Sequence, residues 1–439
     1  MGEARTKEGA RQIAMVCLDE LVPEDDRYRR IDEIVGDWSF VREAARSYYA
    51  ERVGRPSIDP TVLLKLMLAG ALEGIGSVRE LLRVADLRLD LRLFLGYGLG
   101  ERLPAHQTIS EAQTLRFADG DVFERLFLHT VALCKQHGLI EGSHLSVDGF
   151  HAEANAALRS LRASLEPLAG EAASEAEADV PAPERPQLRL AEPRLGPTPK
   201  RWASNATVVS ATDADARLKG KPGQRPHLVY RGHVGVDPKK RCIAGCLGER
   251  AEGHEGDALA PILDRVRFVL PELASVGADQ GFAAERVWED TAERRIVAYI
   301  PPQPSMLPRD DRGPRTNVQR LALAAKKRAK SEAGIRAHRR RMADAEGVIA
   351  ELKNLHGLDR VRCRGTPAFH IQLLLGCIAI NLKRLARHAP AAHEGVAAAP
   401  KAAATAFSPG NDQRQPGSQR ASISLSRKQL VWTTNLCLN

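Results

Sequence analysis

The chain has 439 residues, of which 43% are hydrophobic and 5% aromatic, and its formal net charge is +9. This length fits roughly two to three domains. No apolar stretch reaches the ~20 residues of a membrane span, and no apolar segment typical of a signal peptide opens the chain. We therefore expect a cytoplasmic protein that contacts no membrane, with a basic surface that suits a polyanionic partner.

Residues 1–140 are predicted to form a helical region. The stretches SIDPTVLLKLMLAGALEGI and SVRELLRVADLRLDLRLFLG carry apolar residues at helical spacing, and the first opens with a helix N-cap signal. Two more helices are predicted before residue 140. Short helices separated by turns are compatible with a helix-turn-helix DNA-binding domain and equally with a plain helical bundle.

The pattern changes in residues 141–388, where strands and helices alternate. Strands are predicted at SHLSVDGF, HLVYRGHVGVD, RCIAGCLGER, SVGAD and IVAYIPP, the second and third forming a hairpin. This order predicts an α/β domain with one mixed sheet. An acidic and proline-rich insertion at about 160–200 is expected to be a loop or disordered, as is the low-complexity tail at 389–439.

Two of the predicted strands end in an aspartate close to a glycine. Asp148 is followed directly by Gly149, and Asp279 by Gly281 two residues later. Aspartate and glycine are common turn residues, so each carboxylate has a simple interpretation as part of a turn. In open α/β sheets, however, ligand-binding groups gather at the carboxyl ends of strands. We therefore predict that the two carboxylates face one crevice.

A third candidate carboxylate lies on a helix predicted from about residue 342. Lys353 follows Glu346 by seven residues, which places the two side chains within about 20° of each other around the helix. Glu351 points elsewhere. Taken alone, this pair has an equally simple interpretation as two solvent-facing residues. Together with two aspartates, Glu346 completes a set of three carboxylates able to hold two Mg²⁺ ions.

Nearly the whole net positive charge is matched by the excess in one segment just before this helix. Residues 317–341 contain nine Lys or Arg residues and a single Glu. Beside a site for phosphoryl transfer, such a run predicts a surface that binds the phosphates of a nucleic acid. We assign DNA binding to Arg339, Arg340 and Arg341, and to Lys353 within the site itself.

The chain resembles the DDE-type transposases of bacterial insertion sequences over about residues 57–387. The resemblance is carried by LSVDGFHAEANA, by VGADQGF, and above all by AEGVIAELKNLHGLDRVRCRG, followed by QLLLGCIAINLKRLA. The order of these stretches and the Glu–six residues–Lys spacing are its most specific features. It implies a ribonuclease H-like mixed sheet flanked by helices, preceded by an all-helical N-terminal domain.

The resemblance also implies the chemistry. Asp148, Asp279 and Glu346 form the DDE triad and bind two Mg²⁺ ions, for which Mn²⁺ can substitute. The enzyme cuts the element ends by hydrolysis and joins the freed 3′-OH to target DNA. Lys353 matches the family lysine that contacts DNA near the cleavage site. The N-terminal helices help to bind the terminal inverted repeats, and two copies of the chain are expected on the double-stranded DNA.

Some features depart from the family or allow other interpretations. Related signatures have a Tyr and an Arg where this chain has Arg339 and Met342, and Arg341 lies one residue away, so a hairpin pathway is not implied. A catalytically inactive DNA-binding remnant is an alternative, and a ribonuclease H-like nuclease is a weaker one. The residues His254, Glu255 and Asp257 suggest either a metal cluster or, as we expect, a capped helix start.

Overall fold

The structure is a computed structural model that describes residues 15–49, 58–116, 120–163, 205, 208–220, 225–309 and 313–389. The insertion expected at about 160–200 and the tail expected at 389–439 lie almost entirely outside the described residues.

The α-helices of the described residues fall into an N-terminal group before residue 140 and a second group that alternates with strands. In chain order they are α1 (Leu18–Leu21), α2 (Arg27–Val35), α3 (Ser39–Ala45), α4 (Pro60–Glu73), α5 (Val78–Leu87), α6 (Leu89–Leu95), α7 (His106–Arg116), α8 (Asp121–Gln136), α9 (Leu259–Val269), α10 (Glu285–Glu293), α11 (Asn317–Lys330), α12 (Glu332–His356) and α13 (Thr366–His388).

The strands form one mixed sheet of six strands and a separate pair. They are β1 (His144–Glu153), β2 (Leu161–Ala163), β3 (Val208–Ser210), β4 (Arg217–Lys219), β5 (His227–Val236), β6 (Ile243–Arg250), β7 (Ser275–Gly277) and β8 (Val297–Tyr299). The main sheet has the order β4-β5-β1-β7-β8, and β6 also pairs with β5. The expected fold class, a ribonuclease H-like mixed sheet preceded by helices, is confirmed.

Pairing differs on the two sides of the central strand β1. On one side β5 runs antiparallel to it from the pair Ser146–Val236 to the pair Glu153–Val229. On the other side β7 runs parallel to it for three residues only, ending at the pair Ser146–Gly277. The predicted hairpin between β5 and β6 is confirmed. Because β7 stops early, residues 147–153 of β1 have no strand beside them on that side in the described sheet, and only an isolated bridge joins Glu153 to Arg360.

Helix α13 lies at the centre of the hydrophobic core. It packs against α4 and α8 of the N-terminal group and against β6 of the sheet. The buried side chain of Asn381 accepts a hydrogen bond from the Ile243 N–H and donates one to its carbonyl, which fixes α13 to β6. The helix is long and apolar enough to cross a membrane. Its burial between two sets of elements instead makes it the central helix of this core.

Two helix predictions need correction. The stretch predicted as one helix from Ser77 to Gly96 is two helices, α5 and α6, because Arg88 takes an extended conformation with φ −105° and ψ 122°. The buried Arg92 guanidinium donates to the carbonyls of Asp86 and Gly98 around this break. The helix predicted from about residue 342 is longer: α12 begins at Glu332 and has 25 residues.

Candidate active site

The register of the sheet relates Asp148 on β1 to Asp279, which lies two residues beyond the end of the neighbouring strand β7. Ser146 and Gly277 are partners in the parallel pair of β1 and β7, and each aspartate follows its partner residue by two positions. Asp279 lies at the N-cap of a short 3₁₀ helix, where its Oδ1 accepts a hydrogen bond from the Gly281 N–H. Its negative charge nevertheless acts on Asp148, so the two carboxylates lie near each other. The predicted convergence of the two aspartates has its geometric basis here.

One part of the prediction is wrong: Asp148 does not end its strand. Strand β1 continues to Glu153 because β5 goes on pairing with it along its other edge. What ends before Asp148 is the parallel pairing with β7. The carboxylate therefore lies in the middle of a long strand, just beyond the point where its neighbour stops.

Helix α12 covers this face of the sheet. The Cβ of Ala337 lies 3.6 Å from the position that a Cβ on Gly277 would take, so the helix approaches the strand closely. One turn further, the Arg341 guanidinium donates from Nη1 to Asp148 Oδ2 at 2.5 Å. Its Nη2 lies 3.6 Å from Glu346 Oε1. A single arginine therefore joins two of the three predicted carboxylates.

The electrostatics of Asp148 link it to both other members of the predicted triad. Burial raises the pKa of this carboxyl above its usual range, and the negative charges of Asp279 and Glu346 act in the same direction. The positive charge of Arg341 and a hydrogen bond from the Gly149 N–H oppose that rise. Asp148 is the less exposed of the two carboxylates paired with Arg341, with 13% of its side chain accessible against 54% for Glu346.

The three carboxylates suit a divalent cation, but the guanidinium of Arg341 lies among them. No three His, Cys, Asp or Glu side chains of the described residues are placed to hold a metal ion as they stand. Asp148 and Glu346 nevertheless already share one positive group, Arg341, and Asp279 adds a third negative charge nearby. Oxygen ligands from one or two carboxylates per ion are what Mg²⁺ uses in proteins, so the residues present fit the ion in kind.

Several polar atoms around Arg341 are buried without a hydrogen-bond partner among the described residues. They are Arg341 Nε, Ser146 Oγ and His144 Nε2. Ser146 and His144 lie on β1 two and four residues before Asp148, hence on the same face of the sheet. Buried polar groups are nearly always paired in folded proteins. The contact between α12 and β1 therefore leaves buried polar atoms without hydrogen bonds among the described residues.

The predicted pair of Glu346 and Lys353 faces the same strand at two places. Lys353 Nζ lies 5.4 Å from the ring centroid of Phe150, which follows Asp148 by two residues on β1. Burial lowers the pKa of this lysine, with Asp359 opposing the change. The lysine thus sits half-buried on the Asp148 face, farther along the strand. Glu351 points away and pairs with Arg384.

The three predicted DNA-binding arginines have different surroundings. Arg339 and Arg340 are exposed, and with Lys239 and Asp344 they line an open groove of about 440 Å³. Arg341 is 8% exposed, and its guanidinium forms ion pairs with Asp148 and Glu346. Its contact with Asp148 was not predicted from the sequence. The helical spacing could have indicated that Arg341 is buried, because it falls in the buried stripe of α12 formed by Ala337, Arg341, Ala345, Val348 and Leu352.

The candidate metal cluster at residues 254–257 is a capped helix start, as expected. His254 Nδ1 accepts a hydrogen bond from the Gly256 N–H at the start of a short 3₁₀ helix. Asp257 forms an ion pair with Arg286. His151, next to the site on β1, is exposed.

Comparisons with known proteins give two family matches. The family described as "Transposase domain (DUF772)" matches residues 16–115, and the "Transposase DDE domain" matches residues 312–386. No curated protein and no solved structure matches the chain. The second match includes Arg341, Glu346 and Lys353, whereas Asp148 and Asp279 lie between the two matched segments. These matches, together with the fold, support an insertion-sequence transposase of the DDE type.

Proposed function

We propose that this DNA transposase cuts the ends of its element and joins the freed 3′-OH to target DNA by metal-dependent phosphoryl transfer. The observation that carries the proposal is the proximity of three carboxylates: Asp279 and Glu346 both act on the charge of Asp148, and Glu346 shares Arg341 with it. Bringing three carboxylates together is costly, because like charges repel.

Asp148, Asp279 and Glu346 are the residues that would hold two Mg²⁺ ions, with Mn²⁺ as a substitute. Such ions stabilise the attacking and leaving oxygens of an in-line displacement. Asp148, fixed on the central strand, sets the position of the site, and the more exposed Glu346 has freedom to adjust. Lys353 Nζ stays on the same face and is placed to bind a phosphate of the cut strand.

Exposed cations beside the site supply a surface for double-stranded DNA. Arg339 and Arg340 have no carboxylate within ion-pair distance in the described part of the chain. We assign them to phosphate contacts, and assign binding of the terminal inverted repeats to the N-terminal helices. Two ends must be held for transposition, so the active form is a homodimer on DNA. The protein would act on the nucleoid in the cytoplasm.

A second candidate function is a catalytically inactive, DNA-binding remnant. The ion pair between Arg341 and Asp148 favours it, because a cation fixed among the carboxylates leaves no room for metal on that oxygen. This form predicts salt-sensitive DNA binding without cutting.

The decisive experiment uses the full chain and a supercoiled plasmid that carries the element with its own flanking DNA. With Mg²⁺ present, we expect cut ends followed by joined products, and neither with Asp279→Asn. The control is Glu351→Gln, which neutralises a carboxylate of α12 that pairs with Arg384 outside the site. Binding without cutting by the wild type would establish the remnant. Cutting that is never followed by joining would establish a nuclease.

A further inference from the structure

Arg341 is a charged residue at a position where the helix pattern calls for an apolar one. It lies between Ala337 and Ala345 on the buried stripe of α12, at 8% exposure. Burying a charge is unfavourable unless a partner of opposite charge compensates for it. Asp148 at 2.5 Å and Glu346 at 3.6 Å are those partners. The position of this arginine is therefore explained by the carboxylates and by nothing else in the stripe.

Its bonding is unlike that of an arginine with a purely structural role. Arg92, equally buried, donates from Nε to the Asp86 carbonyl and from Nη1 to those of Gly98 and Glu101, and its Nη2 pairs with the Asp86 carboxylate. Arg341 leaves Nε without a partner, and Ser146 Oγ and His144 Nε2 are also unpaired. Buried groups whose hydrogen bonds are not made destabilise the folded chain. Arg341 is held by charge rather than by a complete network.

We propose that Arg341 is a stand-in cation: it holds Asp148 and Glu346 in the metal-free protein and must leave Asp148 before a metal ion binds there. The inference rests on the proposed function of the carboxylates. Mg²⁺ binds oxygen at about 2.0–2.1 Å, so Asp148 Oδ2 cannot bind the ion while a guanidinium nitrogen lies against it. The bound arginine lowers the apparent affinity for metal, as any competing state does.

The displaced guanidinium needs a new partner, and a phosphate of the bound DNA is one with matching charge and geometry. Arg341 then makes the DNA contact expected from the sequence, but only after it has left Asp148. Binding of DNA and binding of metal then favour each other by the same factor. The protein without DNA stays poorly loaded with metal.

The test measures Mn²⁺ binding to the full chain without DNA, from the electron paramagnetic resonance signal of free Mn²⁺. Removing the competing charge in Arg341→Met is expected to tighten binding about tenfold or more. Arg340→Met is the matched control, since it removes one positive charge from the neighbouring exposed position. Its affinity for Mn²⁺ should stay within about twofold of wild type because surface charges are screened.

A second measurement, of the melting temperature, keeps the test valid if the variant is less stable than the wild type. Without a cation, the charges of Asp148 and Glu346 are uncompensated, so Arg341→Met and Arg341→Gln should melt at lower temperature than wild type in EDTA. Mn²⁺ should raise the melting temperature of both variants more than that of wild type, because a bound ligand stabilises the folded state. If a variant is unfolded in EDTA, added Mn²⁺ should refold it, and failure to do so would overturn the proposal.

The outcomes separate the two ideas. Equal Mn²⁺ affinity of wild type and Arg341→Met, with loss of binding in Asp148→Asn, would overturn the stand-in role and leave the proposed triad intact. No Mn²⁺ binding to either protein at millimolar concentration would overturn both. Tighter binding in Arg341→Met that is lost when Asp148→Asn is added would support both.

Discussion

Helix α12 contributes to two charged clusters of similar composition. The Arg341 cluster consists of Arg341, Asp148 and Glu346, and the Arg384 cluster of Arg384, Glu351 and His356. In the Arg384 cluster the guanidinium donates two hydrogen bonds to Glu351, at 2.7 and 3.3 Å. Burial raises the pKa of Glu351, but hydrogen bonds from His356 and Arg384 outweigh it and lower that pKa to about 2.

In the Arg341 cluster the effects that raise the pKa of the carboxyl outweigh those that lower it. Burial and neighbouring carboxylates raise the pKa of Asp148, and the Nε of Arg341 stays without a partner in the described protein. Two clusters that each pair a glutamate of α12 with an arginine thus differ: one stabilises the fold, and the other is unfavourable without a further ligand. Groups with perturbed pKa values and incomplete bonding are typical of functional sites. The completeness of the hydrogen bonding, rather than the residue composition, distinguishes the two clusters.

The largest expected effect comes from neutralising one glutamate in each cluster. Glu346→Gln should reduce DNA cleavage by more than about 100-fold, the upper end of the effect of groups that only support a metal ligand. Its free energy of unfolding should change by no more than about 0.5 kcal/mol, as for an exposed residue. Glu351→Gln should retain cleavage and lose stability. Cleavage assays and urea unfolding of both variants check this, and equal losses of activity would break the comparison.

The stability lost in Glu351→Gln should depend on pH. Replacing the carboxylate leaves donors of Arg384 unpaired, which costs about 1–3 kcal/mol. Because the pKa of Glu351 is lowered to about 2 in the folded chain, its contribution is complete above about pH 5 and disappears as the pH falls toward 2. Urea unfolding of wild type and variant at several pH values measures the difference. A difference that stays constant from pH 7 to 3 would contradict the prediction.

Metal binding should be lost on acidification at a higher pH than the contribution of Glu351. Metal ligands must be deprotonated, and the pKa of Asp148 is raised in the metal-free protein. The affinity for Mn²⁺ should therefore fall on acidification already at a pH where an ordinary aspartate is still charged. Titrations of the full chain at several pH values check this. An affinity that declines only below the usual range of aspartate would show that Asp148 is not a ligand.

The smallest effect is expected for Lys353. Losing one phosphate contact in Lys353→Met should reduce DNA affinity roughly three- to tenfold and lower the slope of log K against log salt by about 0.9. Lys383→Met is the matched control, because Lys383 is also half-buried but lies beside His356 of the Arg384 cluster. It should change stability and leave the salt slope unaltered. Equal slopes for wild type and Lys353→Met would exclude the contact.

Much of the sheet and the relation between its two aspartates could be predicted from the sequence. Strands β5 to β8 follow apolar runs bounded by turn residues, and both aspartates follow such runs. These features depend on local spacing and on simple rules of sheet geometry. The family matches at residues 16–115 and 312–386 agree with the resemblance seen in the sequence motifs.

The remaining features depend on contacts that local patterns do not contain. The continuation of β1 past Asp148 is due to β5, about 80 residues later in the chain. The burial of Arg341 follows from the true start of α12 at Glu332, ten residues before the predicted start. The shared core of the N-terminal helices and α13 joins residues about 300 positions apart. Charge at position 341 was assigned to DNA because arginine is usually exposed.

The place of α13 in the core has a consequence for synthesis and for damaged gene copies. A ribosome makes all three triad carboxylates before it reaches Thr366, where α13 begins. Until then α4, α8 and β6 lack the helix that covers their apolar sides. A copy of the gene interrupted before that codon would encode every proposed catalytic residue and still yield a chain without its central helix. Inactivation of this element would then leave no trace in the triad itself.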